Sequence, residues 1–346
     1  MGGRISTHRI KIQSLAQTLD APSDSTLLES MLDAGIDYPH GCVSGLCSLC
    51  KSRLISGAVT HLDYFASALS DEEKDAGLVL PCRALPSSDC VITPVQHDAN
   101  LPPVTTHAGR VVGLTKLTHD IVRLTVALPA NARYEFLPGQ YSQVTFPGAA
   151  SRDFSMASTP GEGLIEFFVR RLPGGEVTDK RLGTLAIGEA VSIKGPFGVA
   201  YLRELHIGPM IAVAGGSGLA PIRSIVRTAL ERGMKQPIRI YLGVRSERDI
   251  YLDAEFEQLC VDHPNISFTI VLSDPQPSSA YARGNVHEKV LRDLTGMDLG
   301  DWIAYVAGPP AMVSAVSGVV QGLGVQTSRC HADPFLTKAD LAVTLR

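Results

Sequence analysis

The amino-acid sequence predicts a multidomain chain of mixed α+β and α/β class, made of a small strand-rich unit, an antiparallel β-barrel and a parallel-sheet α/β unit. Three observations predict it. A length of 346 residues allows two or three separate cores. Residues 97–106, HDANLPPVTT, form a polar stretch with a Pro pair that reads as a semi-rigid linker. From Met210 onward the short alternating runs give way to longer apolar runs separated by helix-length segments.

In the first unit, Ile10 and Ile12 alternate with polar neighbours as a half-buried strand does. One helix interrupts the strands. Thr26 and Glu29 have capping-box spacing, Leu27, Leu28, Met31 and Leu32 recur at helical intervals, and Gly35 ends the run. The middle unit opens with the alternating Val122, Leu124, Val126 and Leu128, and Pro-Gly turns at 138–139, 147–148 and 173–174 separate further short strands. In the last unit, residues 210–214, 238–244, 268–272 and 303–306 read as buried parallel strands joined by crossover helices. The expected boundaries are 1–97, a linker over 98–106, 107–203 and 204–346.

Composition narrows the function. Net charge is -4, and the 31 Lys and Arg are scattered, which leaves no electrostatic footprint for nucleic acid or an anionic membrane. No apolar run reaches membrane-spanning length, and the first residues lack the apolar core of a signal peptide, so the expected location is cytoplasmic. Gly2 and Ser6 fit the loose myristoylation pattern, without a polybasic run to support it.

The seven cysteines carry the most specific signal. Cys42, Cys47 and Cys50 have the spacing C-x4-C-x2-C, followed much later by Cys82, which is the plant-type arrangement for a [2Fe–2S] cluster. Gly41 and Gly45 suit a loop that must bring backbone close to the cluster. Structural zinc is the competing reading, but zinc sites usually pair two C-x2-C knuckles, and Cys82 has only Cys90 nearby, at a longer gap. Cysteines that merely pack would show a hydrophobic period, which these do not. Cys90, Cys260 and Cys330 are isolated and read as small buried hydrophobes.

Two weaker constellations follow. FLPGQY at 136–141, RDFS at 152–155 and RRLPGGEVT at 170–178 supply arginines for a pyrophosphate, an aromatic for a flavin ring or ribityl chain, and a hydroxyl for the flavin N5 edge. Gly174, Gly175 and Thr178 would let amides and a hydroxyl approach phosphate. Further on, the run Gly215-Gly216-Ser217-Gly218 joins a strand to a helix and offers amides to a dinucleotide, although it lacks the G-x-G-x-x-G fingerprint. Gly243-Val244-Arg245-Ser246 and Ala307-Gly308-Pro309-Pro310 follow two other strands, at the ends where such sheets bind ligands. Arg245 and Arg248 could face a ribose 2′-phosphate or only solvent, so NADH is favoured and NADPH stays open.

Together these stretches, with GCVSGLCSLC, LPCRA, KGPFG and HADPF, resemble the reductase components of bacterial aromatic-ring-hydroxylating dioxygenase systems, of the naphthalene dioxygenase type. The resemblance covers the whole chain. It implies a β-grasp plant-type ferredoxin domain, a flavin barrel of the ferredoxin–NADP reductase superfamily and a nicotinamide domain. It further implies that Cys42, Cys47, Cys50 and Cys82 ligate the cluster, and that Arg152, Phe154, Ser155, Arg170, Gly175 and Thr178 hold FAD. Gly216, Ser217 and Gly218, with Arg245, Gly308 and Pro309, would take the dinucleotide, and Phe335 would lie near the flavin ring.

The implied activity is an NADH-dependent oxidoreductase: FAD accepts hydride and the cluster passes single electrons to a ferredoxin or a Rieske-type terminal oxygenase, in the catabolism of aromatic hydrocarbons. No side-chain acid, base or nucleophile is required. Similar domain trios serve di-iron monooxygenases or deoxysugar dehydrases, and a cluster-only electron carrier is a third reading. Two positions depart from the family pattern: Ala307 stands where Cys is frequent, and Phe154 where Tyr is commoner.

Overall fold

The computed structural model describes residues 6–36, 38–40, 43, 45, 48–65, 68–95 and 101–336; Gly2, Gly41, Cys42, Cys47 and residues 98–100 of the expected linker lie outside them. In the first unit β1 (Thr7–Ile12) and β2 (Gln17–Pro22) form an antiparallel hairpin. Helix α1 (Leu27–Asp33) starts on the expected capping box, with Thr26 and Glu29 each accepting from the other's backbone amide. β3 (Ser52–Ser56), β4 (Val59–His61), the short helix α2 (Asp71–Asp75), β5 (Leu78–Val79), β6 (Ala84–Pro86) and β7 (Cys90–Pro94) follow.

The main sheet of this unit has the order β2-β1-β7-β3-β5, with β1 and β7 parallel and the other pairs antiparallel. Leu27, Leu28 and Met31 turn the apolar face of α1 onto Ile10, Ile12 and Ile92, so the sheet grasps the helix. Gly35, with φ of 73°, ends the helix ahead of the cysteine loop.

The second unit contains β8 (Thr105–Lys116), β9 (Ile121–Ala127), β10 (Tyr141–Thr145), β11 (Arg152–Ser155), β12 (Leu164–Arg170) and β13 (Ala190–Phe197). These pair antiparallel in the order β11-β10-β13-β8-β9-β12, and a bridge between Met156 and Phe167 links the two edges into a barrel. Thr105 and Thr106, expected in the linker, already pair with β13.

Next come β14 (Met210–Gly215), α3 (Leu219–Glu231), β15 (Ile238–Val244), α4 (Asp253–Asp262), β16 (Ile266–Leu272), β17 (Ala282–Arg283), α5 (Val286–Leu294), β18 (Ile303–Gly308), α6 (Pro310–Gly322) and β19 (Cys330–Pro334). All six strands run parallel, in the order β17-β16-β15-β14-β18-β19. The chain starts in the middle at β14, goes one way through β15, β16 and β17, then returns to the other side at β18. The gap between β14 and β18 is therefore a topological switch point.

The barrel and the α/β segment, expected as separate domains, form one compact unit over Leu101–Phe335. The reason is a shared core, in which Ile121, Ala157, Phe168 and Leu202 pack with Ile222, Ile225 and Tyr251. Polar groups bolt the same seam. Arg223 Nη1 donates to Ala157 O at 2.9 Å and Glu166 Oε2 at 3.0 Å, and its Nε to Glu255 Oε1 at 2.7 Å. Ser224 Oγ donates to Ser158 O at 2.7 Å.

Candidate functional site

Three groups of residues form candidate cofactor sites, beginning with the cysteine loop. Between α1 and β3, Val43, Gly45 and Ser48 all have left-handed backbone, with φ of 57°, 76° and 59°. Such angles are costly for Val and Ser and cluster where a loop clamps a ligand. At Gly45 an added Cβ would come within 2.7 Å of Arg83 Cγ and 2.8 Å of Tyr64 Cβ, so only glycine fits. Ser48 Oγ donates to Ala68 O, which pins the loop from outside.

Cys50 ends the loop, and Cys82 lies on the 3-10 turn Pro81–Arg83. Both are buried, and their sulfurs are 3.3 Å apart. That is too far for a disulfide and near enough for two thiolates on one iron. Behind them, Tyr38 and Ser52 are buried, their hydroxyls 2.6 Å apart, and Ser52 Oγ donates to Cys50 O at 2.8 Å. These features fit an iron–sulfur cluster. Cys90 instead packs with the core, its thiol pushed up by burial and near Ser88 O and Ala58 O, as expected for an isolated cysteine.

The second group lies on the barrel. Arg152, Phe154 and Ser155 are on β11, where Phe154 packs toward Phe167 with ring centroids 6.3 Å apart. The antiparallel bridge from Met156 to Phe167 carries Arg152 and Arg170 toward the same end of the barrel. Past Arg170, Gly174 turns with φ of 76°, and no atom lies within 4 Å of where its Cβ would be. Gly175 differs: an added Cβ would meet Thr178 Oγ1 at 2.7 Å and Leu172 O at 2.9 Å. Gly175 and Thr178 thus touch each other, and Gly174 keeps the open side. Asp179, which the sequence does not single out, clamps the turn by accepting from Gly174 N at 2.9 Å and Arg171 Nη2 at 2.7 Å. Those bonds, the one from Gly174 first, hold its carboxyl below the usual range. A left-handed turn opening onto the first amides of a helical turn (176–181) fits a phosphate.

The third group sits at the switch point. Gly216 turns with φ of 54° and opens to a cleft of about 470 Å³ that Arg170, Arg245 and Pro309 also line. Gly218 faces the other way, since a Cβ there would run into the Ala307 carbonyl oxygen. Gly308 has φ of 142°, and its Cβ would come within 2.8 Å of Gly215 O. Gly218 and Gly308 therefore let two turns pack backbone to backbone, while Gly216 lines the cleft together with Gly215; Ser217 is partly exposed beside it. Under the turn, Tyr251 OH donates to Gly216 O at 2.8 Å. Burial, then the nearby Asp120 charge, pushes the Tyr251 phenol well above its ordinary value.

The barrel and nucleotide groups meet at the end of β19. Ser155 Oγ lies 3.4 Å from Asp333 Oδ2, and Phe335 N donates to Gly308 O at 2.8 Å. Arg170 reaches the cleft wall, its Nε donating to Asp120 Oδ2 at 2.8 Å. Burial alone would raise the Asp120 carboxyl, but hydrogen bonds from Arg170 and Thr118, with the charges of Arg170 and His119, outweigh it and hold it low. At the cleft rim, Arg245 Nε lies 3.5 Å from Asp274 Oδ2. Cys50 and Cys82 belong to the other compact unit, and Cys42 and Cys47 lie outside the described residues. Asp120, Tyr251 and Asp333 escape a sequence reading because their partners come from distant segments.

Comparisons with known proteins find a family match for each of the three segments. The family model for a 2Fe-2S iron-sulfur cluster binding domain matches residues 10–87, that for an oxidoreductase FAD-binding domain 108–202, and that for an oxidoreductase NAD-binding domain 212–318. The chain is 38% identical over 326 residues to the ferredoxin–NAD(P)(+) reductase component of the naphthalene 1,2-dioxygenase/salicylate 5-hydroxylase systems of a Ralstonia species, covering 94% of this chain and 97% of that one. It is 34% identical to the reductase component of propane 2-monooxygenase from Rhodococcus jostii, covering 96% of this chain and 92% of the other. Among solved structures, an Amycolatopsis cytochrome P450 reductase superposes with a TM-score of 0.72 at 33% identity, over 95% of this chain and 99% of that one. Among the described residues no helix is long and apolar enough to cross a membrane. The chain belongs to the family of ferredoxin–NAD(P)(+) reductase components of oxygenase systems, oxidoreductases with FAD, NADH and a [2Fe–2S] cluster as cofactors.

Proposed function

We propose that this chain is the NADH-dependent reductase of an aromatic-ring-hydroxylating system, and that its electrons leave through the cluster to a ferredoxin or a Rieske-type dioxygenase. The observation that carries the reading is the meeting of Ser155 with Asp333 and of Phe335 with Gly308, which gathers the flavin strand and the nicotinamide turns at one place. The chemistry the bound groups supply is hydride acceptance by the flavin, followed by one-electron transfer through iron.

The chain's own residues bind, orient and shield. Gly216 and Pro309 line the dinucleotide cleft with backbone and ring, while Gly218 and Gly308 hold the two turns together beneath it. Ser155, Asp333 and Phe335 border the place where the two rings would stack, and exclude water from it. Arg152, Arg170 and the turn at Gly174, Gly175 and Thr178 neutralise and cradle the flavin pyrophosphate. Cys42, Cys47, Cys50 and Cys82 hold the cluster. Arg245, tethered by Asp274, contacts the adenosine ribose, and its partial neutralisation favours NADH. A reducing cytoplasm, which keeps the four thiols available, is the proposed location.

Anaerobic titration of the reconstituted chain with NADH tests this. Bleaching of the flavin band followed by cluster reduction is expected, and an unchanged spectrum would refute the reading. A di-iron monooxygenase is the second candidate client, favoured by the propane 2-monooxygenase reductase relative. Turnover reconstituted with each oxygenase separates the two: product from a di-iron hydroxylase alone would exclude the Rieske client.

A further inference from the structure

The dinucleotide cleft places two carboxylates where an anionic ligand must come. Asp120 and Asp249 both line it, beside Arg170 and Arg245. The pyrophosphate of a dinucleotide adds negative charge, which any unpaired carboxylate in a partly desolvated cleft repels. Asp120 is paired with Arg170 at 2.8 Å, and Arg245 with Asp274 at 3.5 Å. Asp249 uses Oδ2 to cap the turn after β15, accepting from Ser246 N at 2.9 Å and Ser246 Oγ at 2.8 Å. Neither bond brings a cation.

His119, on the turn between β8 and β9, is placed to supply one. Its Nδ1 lies 3.4 Å from Asp249 Oδ1 and 3.9 Å from Asp120 Oδ1, so one ring spans a carboxylate of the barrel and a carboxylate of the α/β layer. Among the described residues His119 is the one ion-pairing partner of Asp249. The charged and titratable groups around this ring are Asp120 on its own turn, Asp249 after β15 and, through Asp120, Arg170 of β12 and the buried Tyr251. The ring is 39% exposed and the two carboxylates 18% and 16%, so it exchanges protons with water while the charges it meets are only partly screened. We propose that His119 is a positioning residue for the dinucleotide, whose protonated ring offsets Asp249 and Asp120 together and makes binding tighter at lower pH. This rests on the reading that the cleft takes the dinucleotide.

Calorimetric titration of the full-length holoprotein with NAD+, which carries the same pyrophosphate, tests the assignment in buffers of different ionisation enthalpy. The range is about pH 6 to about pH 8.5, across which histidine side chains change charge. By reciprocity, a site that binds NAD+ better when protonated takes up protons as it binds. The parent is expected to show that uptake and to weaken about threefold across the range, in keeping with one partly exposed ion pair. His119→Gln should bind at the weaker value throughout with less proton uptake, and His119→Lys at the tighter value throughout. His287, which also lines the cleft, is unchanged in all three proteins, so the differences between them report His119 alone. A His119→Gln protein with the parent's pH curve and proton uptake would overturn the proposal. Equal weakening in His119→Gln and His119→Lys would overturn it too, because shape and not charge would then be at work.

Asp249→Asn gives an independent reading if the His119 variants lose flavin. It keeps an acceptor for Ser246 and removes the charge, so it should bind NAD+ at the parent's tighter value at high pH and lose most of the pH dependence. A dependence equal to the parent's would overturn the proposal. A parent protein that binds no NAD+ at any pH would instead refute the reading of the cleft, so the two failures are distinct.

Discussion

Tyr251 OH supports the dinucleotide turn by donating a 2.8 Å hydrogen bond to the carbonyl of Gly216, which lines the cleft. Tyr251 also packs edge-on against Phe168 of the barrel, with ring centroids 5.7 Å apart. Tyr251→Phe keeps the ring and leaves the buried carbonyl without its donor, at about 1 kcal/mol. The expected result is a several-fold rise in KM for NADH with flavin content and kcat preserved. Steady-state kinetics would count against the relationship if KM were unchanged.

Arg245 and Asp274 bear on the choice between NADH and NADPH. Both side chains are well exposed, so their ion pair is weak, but it sets the charge of the rim. Removing the carboxylate with Asp274→Ala frees Arg245 for a 2′-phosphate. The ratio of kcat/KM for NADPH to that for NADH should rise by up to about fivefold, from the at most roughly 1 kcal/mol such exposed contacts contribute. Arg245→Ala in the same background should cancel the gain.

His331 predicts a pH dependence of stability. It stacks on Tyr305 with rings 24° apart, and burial, followed by the charges of Arg203 and His206, pushes its pKa down to about 3. The unfolded chain binds a proton at this residue near the ordinary value of 6.5, and the folded chain does not. Its contribution is therefore complete above pH 6.5 and declines as pH falls toward 3. Urea midpoints between pH 7.5 and pH 5 should fall less for His331→Phe, which keeps the stack, than for the parent. Parallel curves would contradict this.

Arg223 holds the barrel seam to α3 and faces Glu166 and Glu255. Arg223→Ala leaves both carboxylates facing the seam without their cation, and the expected loss is about 2–3 kcal/mol. Thermal unfolding would report it as a lower midpoint for the second unit with the cluster spectrum retained.

Legibility in the sequence followed the range of the interaction. The helix capped by Thr26 and the apolar strands at 210–214 and 303–306 were readable because capping and burial are written locally. The short strands β17 and β19 were not, since two-residue and polar segments such as CHADP become strands only by adding to an existing edge. The cysteine spacing was readable for the same local reason. Gly216, Ser217 and Gly218 read as equals, yet only the Ala307 carbonyl, brought in by β18, makes Gly218 a packing residue. Asp333 became visible only when β19 brought it to Ser155.

The continuous core across the barrel and the α/β layer limits how such reductases can be recombined. A nicotinamide segment cut near residue 204 would leave Ile222, Ile225 and Tyr251 without Ala157 and Phe168, so it cannot be grafted as a cassette. Exchange between relatives must take Leu101–Phe335 whole, and the natural joint for building chimaeras lies before residue 101.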